Sequence, residues 1–198
     1  MFKRALGQLI LKLSGWRIAG SLPAHDKYVL IAAPHTSNWD LVYMLAIAFV
    51  LGMRINWMGK DSLFKPPFGW FMLWLGGVPI DRSKTNNVVQ AMADEFTARE
   101  RLILAVPPAG TRGRREYWKS GFYHIAKCAQ VPIVMGYLDY ATKTGGFGAH
   151  LTPGEDIAAD MDVFRAFYGQ KAGKFPAKVS VVRLRDEGDG EPPVDANA

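Results

Sequence analysis

Short apolar runs closed by proline or glycine alternate along this chain with longer segments of helical character, and that alternation restricts the fold more than any other feature. "YVLIAAP" reads as a buried strand, and "RINWMG", "VPI", "LILAV" and "PIVMGYLDY" read as further strands. Between them, "WDLVYMLAIAFVLG", "NNVVQAMADEFTARER" and "GFYHIAKCAQ" read as helices, and "EDIAADMDVFRAFYGQ" follows as a late amphipathic helix. Strand and helix in alternation predict an α/β domain with a largely parallel central sheet and helices on both faces. In such sheets, sites form outside the carboxyl ends of the strands. Residues that directly follow a strand are therefore the ones to search for chemistry.

The chain has 198 residues, which fits one domain over 1–185. From Asp186 onward, "DEGDGEPPVDANA" has almost no apolar content, and residues 186–198 are expected to be a disordered acidic tail. "TKTGGFGAH" reads as a turn or hairpin. At the other end, residues 1–20 read as an amphipathic interfacial helix, with Phe2, Leu6, Leu9, Ile10 and Leu13 on one face and Lys3, Arg4 and Lys12 off it. Trp16 and Arg17 then fall at headgroup depth. The alternative is a helix packed on its own domain. No stretch reaches 18 uninterrupted apolar residues, so nothing in the sequence reads as a bilayer span. A single cysteine excludes an intramolecular disulfide, and its place in a helical apolar pattern predicts that Cys128 is buried and inert.

A net charge of +6 favours anionic partners, and 49% hydrophobic residues favour a greasy ligand or surface. Three segments combine these properties with groups able to do chemistry. "APHTSNWD" sets His35 after the first long apolar strand, with Asp40 five residues on. A histidine in a loop and an aspartate in the next helix's first turn can meet, and the carboxylate then fixes which ring nitrogen carries the proton. Thr36, Ser37 and Asn38 are candidate caps for that helix. In "GKDSLFKPPFGWFMLWLGGVPIDRS", Lys60, Lys65 and Arg82 flank an aromatic block suited to an acyl chain or membrane interface. In "PPAGTRGRREYWK", Gly110 and Gly113 bracket Arg112, a pattern that lets the backbone approach an anion while the guanidinium makes paired bonds to phosphate. It is not a nucleotide P-loop. The histidines His25, His35, His124 and His150 show no zinc-ligand spacing, so no metal is expected. Basic charge and aromatics would also suit nucleic acid, but the three segments together favour a lipid-like substrate, and no nucleic-acid partner is expected.

In this order, the three segments resemble those of the lysophospholipid and glycerol-phosphate acyltransferase family, the phosphatidate-forming type. "HTSNWD" is similar to the family's H-x-x-x-x-D motif, which implies His35 as general base and Asp40 as its orienting carboxylate. The resemblance places Lys60 and Arg82 in the second block, with Arg82 at the acceptor-binding arginine. Gly110, Thr111 and Arg112 fall at the phosphate-binding positions of the third. "VPIVMGY" occupies the fourth, with Met135 where a second proline is frequent.

The resemblance implies fatty acyl transfer from acyl-coenzyme A or acyl carrier protein, as co-substrate, to a hydroxyl of a lysolipid or glycerol-phosphate acceptor. No cofactor is implied. The expected setting is cytoplasmic, peripheral on the inner face of the cell membrane. One position departs from the pattern: Ala109 stands where the family carries glutamate. Asp139 is an acid that could replace it, or the acceptor differs, or activity is reduced. The alternative function is a catalytically weakened lipid-binding member of the same fold.

Overall fold

The computed structural model describes residues 2–80 and 88–187. Seven strands form one sheet: β1 (Arg17–Ala19), β2 (Lys27–Ala33), β3 (Ile55–Lys60), β4 (Gly77–Ile80), β5 (Leu102–Val106), β6 (Ile133–Asp139) and β7 (Thr144–Leu151). Their order across the sheet is β1-β7-β6-β2-β5-β3-β4, with every neighbouring pair parallel except β6 and β7. That exception is the hairpin read at "TKTGGFGAH". β2 lies at the centre, where Leu30 faces Ala105 of β5 on one side and Val134 of β6 on the other. Buried on both faces, it carries the continuous apolar run by which the sequence revealed it.

Six helices are described: α1 (Phe2–Ser14), α2 (Trp39–Leu51), α3 (Gly69–Trp74), α4 (Val88–Ala98), α5 (Gly121–Ala129) and α6 (Ile157–Tyr168). On one face of the sheet, Val29, Ile31, Leu104, Ile133 and Met135 pack against Phe96 of α4, Phe122 and Ile125 of α5, and Met161 and Phe164 of α6. On the opposite face, Leu30, Ile55, Trp57 and Ala105 pack beneath Leu41, Met44 and Ala48 of α2. α2 is apolar nearly all round because it is covered twice, by the sheet below and by α1 outside it. α1 can lie so close because Gly7 has no side chain: a Cβ there would stand 2.5 Å from the Ala46 carbonyl oxygen.

The N-terminal segment corrects the sequence reading in two ways. The helix ends at Ser14, and residues 17–19 join the sheet as β1 beside β7. Trp16 is not at headgroup depth but turned inward, 6% exposed and stacked on Tyr43 with ring centroids 4.4 Å apart. The helix uses two adjoining faces. Gly7, Ile10 and Leu11 pack inward, while Phe2, Leu9 and Leu13 form a stripe 74, 54 and 79% exposed. The alternative of a helix packed on its own domain holds for the inward face, and the other face leaves an apolar stripe open to solvent.

Cys128 is exposed, not buried as its helical pattern predicts. α5 buries Phe122, Tyr123, Ile125 and Ala126, and residue 128 falls off that arc. At the C-terminus, Arg185–Glu187 forms a 3-10 turn, and Arg165 pairs with the Glu187 carboxylate at 2.5 Å. Asp186 and Glu187 are therefore placed against the domain, while residues 188–198 of the expected tail lie outside the described residues. Among the described residues, no helix is long and apolar enough to cross a membrane.

Candidate active site

β6, β2 and β5 are adjacent and parallel, so their carboxyl ends open on one edge of the sheet. β2 delivers His35 two residues past Ala33, and β5 delivers the loop that contains Gly110, Thr111 and Arg112. β6 ends at Asp139 and is followed by Tyr140. All three segments meet at the N-terminal end of α2.

His35 Nδ1 lies 3.1 Å from Asp40 Oδ2. The same carboxylate oxygen accepts from the backbone N–H groups of Thr36 at 2.8 Å and Ser37 at 2.9 Å. Its second oxygen accepts from the Tyr140 hydroxyl at 2.6 Å. Asp40 is only 6% exposed. Burial works against its ionisation, but the bonds from His35, Tyr140, Ser37 and Thr36 outweigh burial and hold the carboxyl below the usual carboxylate range. Burial, reinforced by the facing Asp40 carboxylate, pushes the Tyr140 hydroxyl upward, so it stays protonated and donates. With Nδ1 engaged by Asp40, His35 has Nε2 left for a substrate proton.

The expected capping of α2 takes a different form. Asn38 occupies the cap position but makes no capping bond. Its side-chain oxygen accepts from Arg112 Nη1 instead. Ser37 Oγ accepts from the Trp39 N–H at 3.2 Å, and Asp40 turns back to the N–H groups of Thr36 and Ser37. The helix start is built around the aspartate, which draws its carboxylate to the histidine. In the opposite loop, Gly110 adopts φ +65°, and a Cβ there would press on the Lys119 side chain at 3.0 Å.

His35, Asp40, Gly110, Thr111 and Arg112 all line one cavity of about 550 Å³. It runs inward between α2 and the sheet, bounded by Leu41, Met44 and Ile47 above and by Leu30, Trp57 and Ala105 below. One end, at His35, Asp40 and Arg112, is polar, and the rest is apolar. Lys60 stands exposed at the end of β3 and is not in the cavity wall. Arg82 lies outside the described residues.

Ala109 is 6% exposed and packs in the core with Trp118 and Tyr168. Asp139 does not line the cavity either. Its carboxylate is occupied by the N–H groups of Ala141 and Ala172 and by the Thr142 hydroxyl. Tyr140 and Asn38 are the site residues that sequence reasoning missed. Asn38 sits within "HTSNWD" and was legible only as a cap, whereas Tyr140 lies 100 residues from Asp40 and carried no local signal.

Residues 17–136 match the family model described as Acyltransferase. A 1-acyl-sn-glycerol-3-phosphate acyltransferase of Streptococcus pneumoniae is 31% identical over 144 residues, covering 68% of this chain and 53% of that protein. The Saccharomyces cerevisiae protein of the same name is 33% identical over 119 residues, 56% of this chain and 38% of its own. The chain thus spans about half the length, or less, of these relatives. In fold, it resembles the crystal structure of the acyltransferase PlsC from Thermotoga maritima, with a TM-score of 0.58 at 14% identity, covering 85% of this chain and 78% of that one. With the family match extending over more than half of its residues, the chain belongs to the acyltransferase family.

Proposed function

We propose that this protein transfers a fatty acyl group from a thioester donor to the free hydroxyl of a lysophosphatidate-type acceptor. The observation that carries the reading is the union, in one cavity, of the His35–Asp40 pair, the Gly110–Thr111–Arg112 loop and a long apolar interior. The relatives' names supply the acceptor class.

In this mechanism, His35 Nε2 removes the acceptor hydroxyl's proton as the oxygen attacks the thioester carbonyl. Asp40 stabilises the imidazolium that forms and keeps Nδ1 protonated. The carbon–sulfur bond then breaks, and the leaving thiolate takes the proton from the imidazolium. No acyl-enzyme forms. Tyr140 acts as a positioning residue, holding the carboxylate oxygen that His35 does not use. Arg112 and the N–H groups of its glycine loop bind the acceptor's phosphate. Burying the chain is worth about 0.8 kcal/mol per methylene, so the apolar interior between α2 and the sheet holds an acyl tail strongly. The exposed stripe of α1 and the exposed Trp70, Leu73 and Trp74 of α3 rest on the lipid surface from which the acceptor comes. In this setting the protein is peripheral, on the inner face of a membrane.

The test is to incubate the purified protein with acyl-coenzyme A and a panel of lysolipids, and to identify products by mass. The reading expects an acylated product, with lysophosphatidate preferred over uncharged acceptors. If no acceptor gains an acyl chain but lysolipids still bind, the protein is a lipid-binding member of the fold instead.

A further inference from the structure

Two segments that meet beside the site carry much of the basic charge of this chain. Residues 107–120 and 171–187 together hold nine Lys and Arg against three Asp and Glu, a surplus equal to the +6 of the whole protein. The second of these segments lies beyond the residues that match the family model. It runs as a strap from α6 across the site and is pinned to both catalytic loops. The Phe175 N–H donates to Thr36 Oγ1 at 3.3 Å, beside His35. The Val181 N–H donates to the Arg115 carbonyl at 3.1 Å, the Trp118 N–H to the Arg183 carbonyl at 2.7 Å, and the Arg115 N–H to Ser180 Oγ at 3.0 Å. The strap is thus held in one place by backbone bonds, independently of its charged side chains.

Between those anchors it presents Lys174, Phe175 and Lys178 to solvent. Phe175 is 44% exposed, and Lys178 Nζ stands 4.8 Å from its ring centre. Lys174 Nζ reaches over Trp39 and Tyr140, at 5.6 and 5.8 Å, and so sits on the rim beside the His35–Asp40–Tyr140 cluster. Neither lysine has a carboxylate partner among the described residues. An exposed aromatic ring flanked in sequence by two ammonium groups that rest on aromatic faces, with no carboxylate to neutralise them, is suited to a nucleotide carrying several phosphates, with the base on the ring and phosphates drawing the lysines off their aromatic contacts. A lipid surface would call for a wider apolar patch, which this protein presents on α1 and α3 instead.

We infer that Lys174, Phe175 and Lys178 bind the phosphorylated nucleotide of a coenzyme A-type acyl donor. This rests on the reading of the site as thioester-dependent acyl transfer. The donor's pantetheine arm then leads from the strap past Trp39 toward His35, while the acceptor's phosphate takes the Arg112 loop. The two anionic substrates are separated by the loop each one uses.

The experiment measures equilibrium binding of free coenzyme A to the 198-residue protein by calorimetry, for wild type, Lys174→Ala/Lys178→Ala and Phe175→Ala. The double variant should bind coenzyme A roughly tenfold or more weakly, with a shallower dependence on salt, and Phe175→Ala should also weaken it. Pantetheine, which lacks the nucleotide, should bind all three proteins alike. Thermal melting checks that each variant is folded. Unchanged coenzyme A affinity in both folded variants would overturn the inference, as would a loss confined to an acidic carrier protein or to anionic phosphatidylglycerol vesicles. Because free coenzyme A is the probe, failure of acyl transfer would refute the catalytic reading without altering this result.

Discussion

Tyr140→Phe removes one hydroxyl and little else. The ring keeps its edge contact with Trp16, at 4.9 Å between centroids, and the backbone N–H keeps its bond to the Ala172 carbonyl. What disappears is the 2.6 Å bond to Asp40 Oδ1, while Oδ2 retains His35 and the N–H groups of Thr36 and Ser37. A hydrogen bond to an ionised group contributes about 1.5–3 kcal/mol. Tyr140 is only partly buried, so water can reach the vacated oxygen, and the lower end of that range applies. For a chain of this size, about 1.5 kcal/mol lowers Tm by roughly 3–6 °C.

The kinetic effect differs in kind. A carboxylate held at one oxygen fixes the imidazole less well, so kcat should fall on the order of tenfold while both KM values stay near wild type. Initial rates with acyl-coenzyme A and lysophosphatidate, followed by mass, give the split, and thermal melts on the same samples give the stability. Wild-type kcat in a variant whose Tm has dropped would show that Tyr140 only supports the fold and has no part in orienting Asp40.

Three further outcomes follow from the same geometry. Asp40 ionises below the usual range in the fold, so its bonds stabilise the protein above the unfolded carboxylate's pKa of about 3.9, and that contribution fades as pH falls through the lowered folded value. Urea denaturation of wild type and Asp40→Asn should therefore show a gap at pH 7 that narrows toward pH 3, and a constant gap would contradict this. Arg112→Ala should raise the acceptor KM on the order of tenfold or more with little change in the donor KM, and equal effects on both would remove Arg112 from the acceptor's site. Replacing Phe2, Leu9 and Leu13 by serine should weaken sedimentation with anionic vesicles at least tenfold and leave Tm nearly unchanged, because Gly7 and Leu11, not these residues, form the buried face of α1. Unaltered vesicle binding would mean that the stripe does not meet lipid.

Much of this architecture is legible in the sequence because burial leaves a regular trace. β2, β5 and β6 carry uninterrupted apolar runs, since both faces of the central strands are covered, and each run marks a loop at the carboxyl edge of the sheet. The His35–Asp40 pair could be anticipated because a loop and the first turn of the helix after it are close whatever the rest of the chain does. β1 could not, being three residues long and held by pairing with β7 rather than by its own pattern. Trp16 misled for a related reason: an aromatic residue after an amphipathic helix suits a membrane interface, and only its contacts with Tyr43 and Tyr140 reveal that it is interior. Tyr140 and the strap's pinning of Thr36 are long-range contacts, invisible to any local reading. Ala109 is visible as a departure from the family, but its burial against Trp118 is a fact of three dimensions alone.

Proton removal by His35 is the step on which the proposed mechanism depends. The most direct measurement is the rate of phosphatidate formation from lysophosphatidate and acyl-coenzyme A by His35→Ala, with its fold checked by circular dichroism and its coenzyme A affinity by calorimetry. Removing a general base costs about 10²–10⁴-fold in rate. The variant should be folded, bind coenzyme A as wild type does and form phosphatidate at least a hundredfold more slowly. A folded variant with turnover within a few-fold of wild type would show that His35 does not take the acceptor's proton.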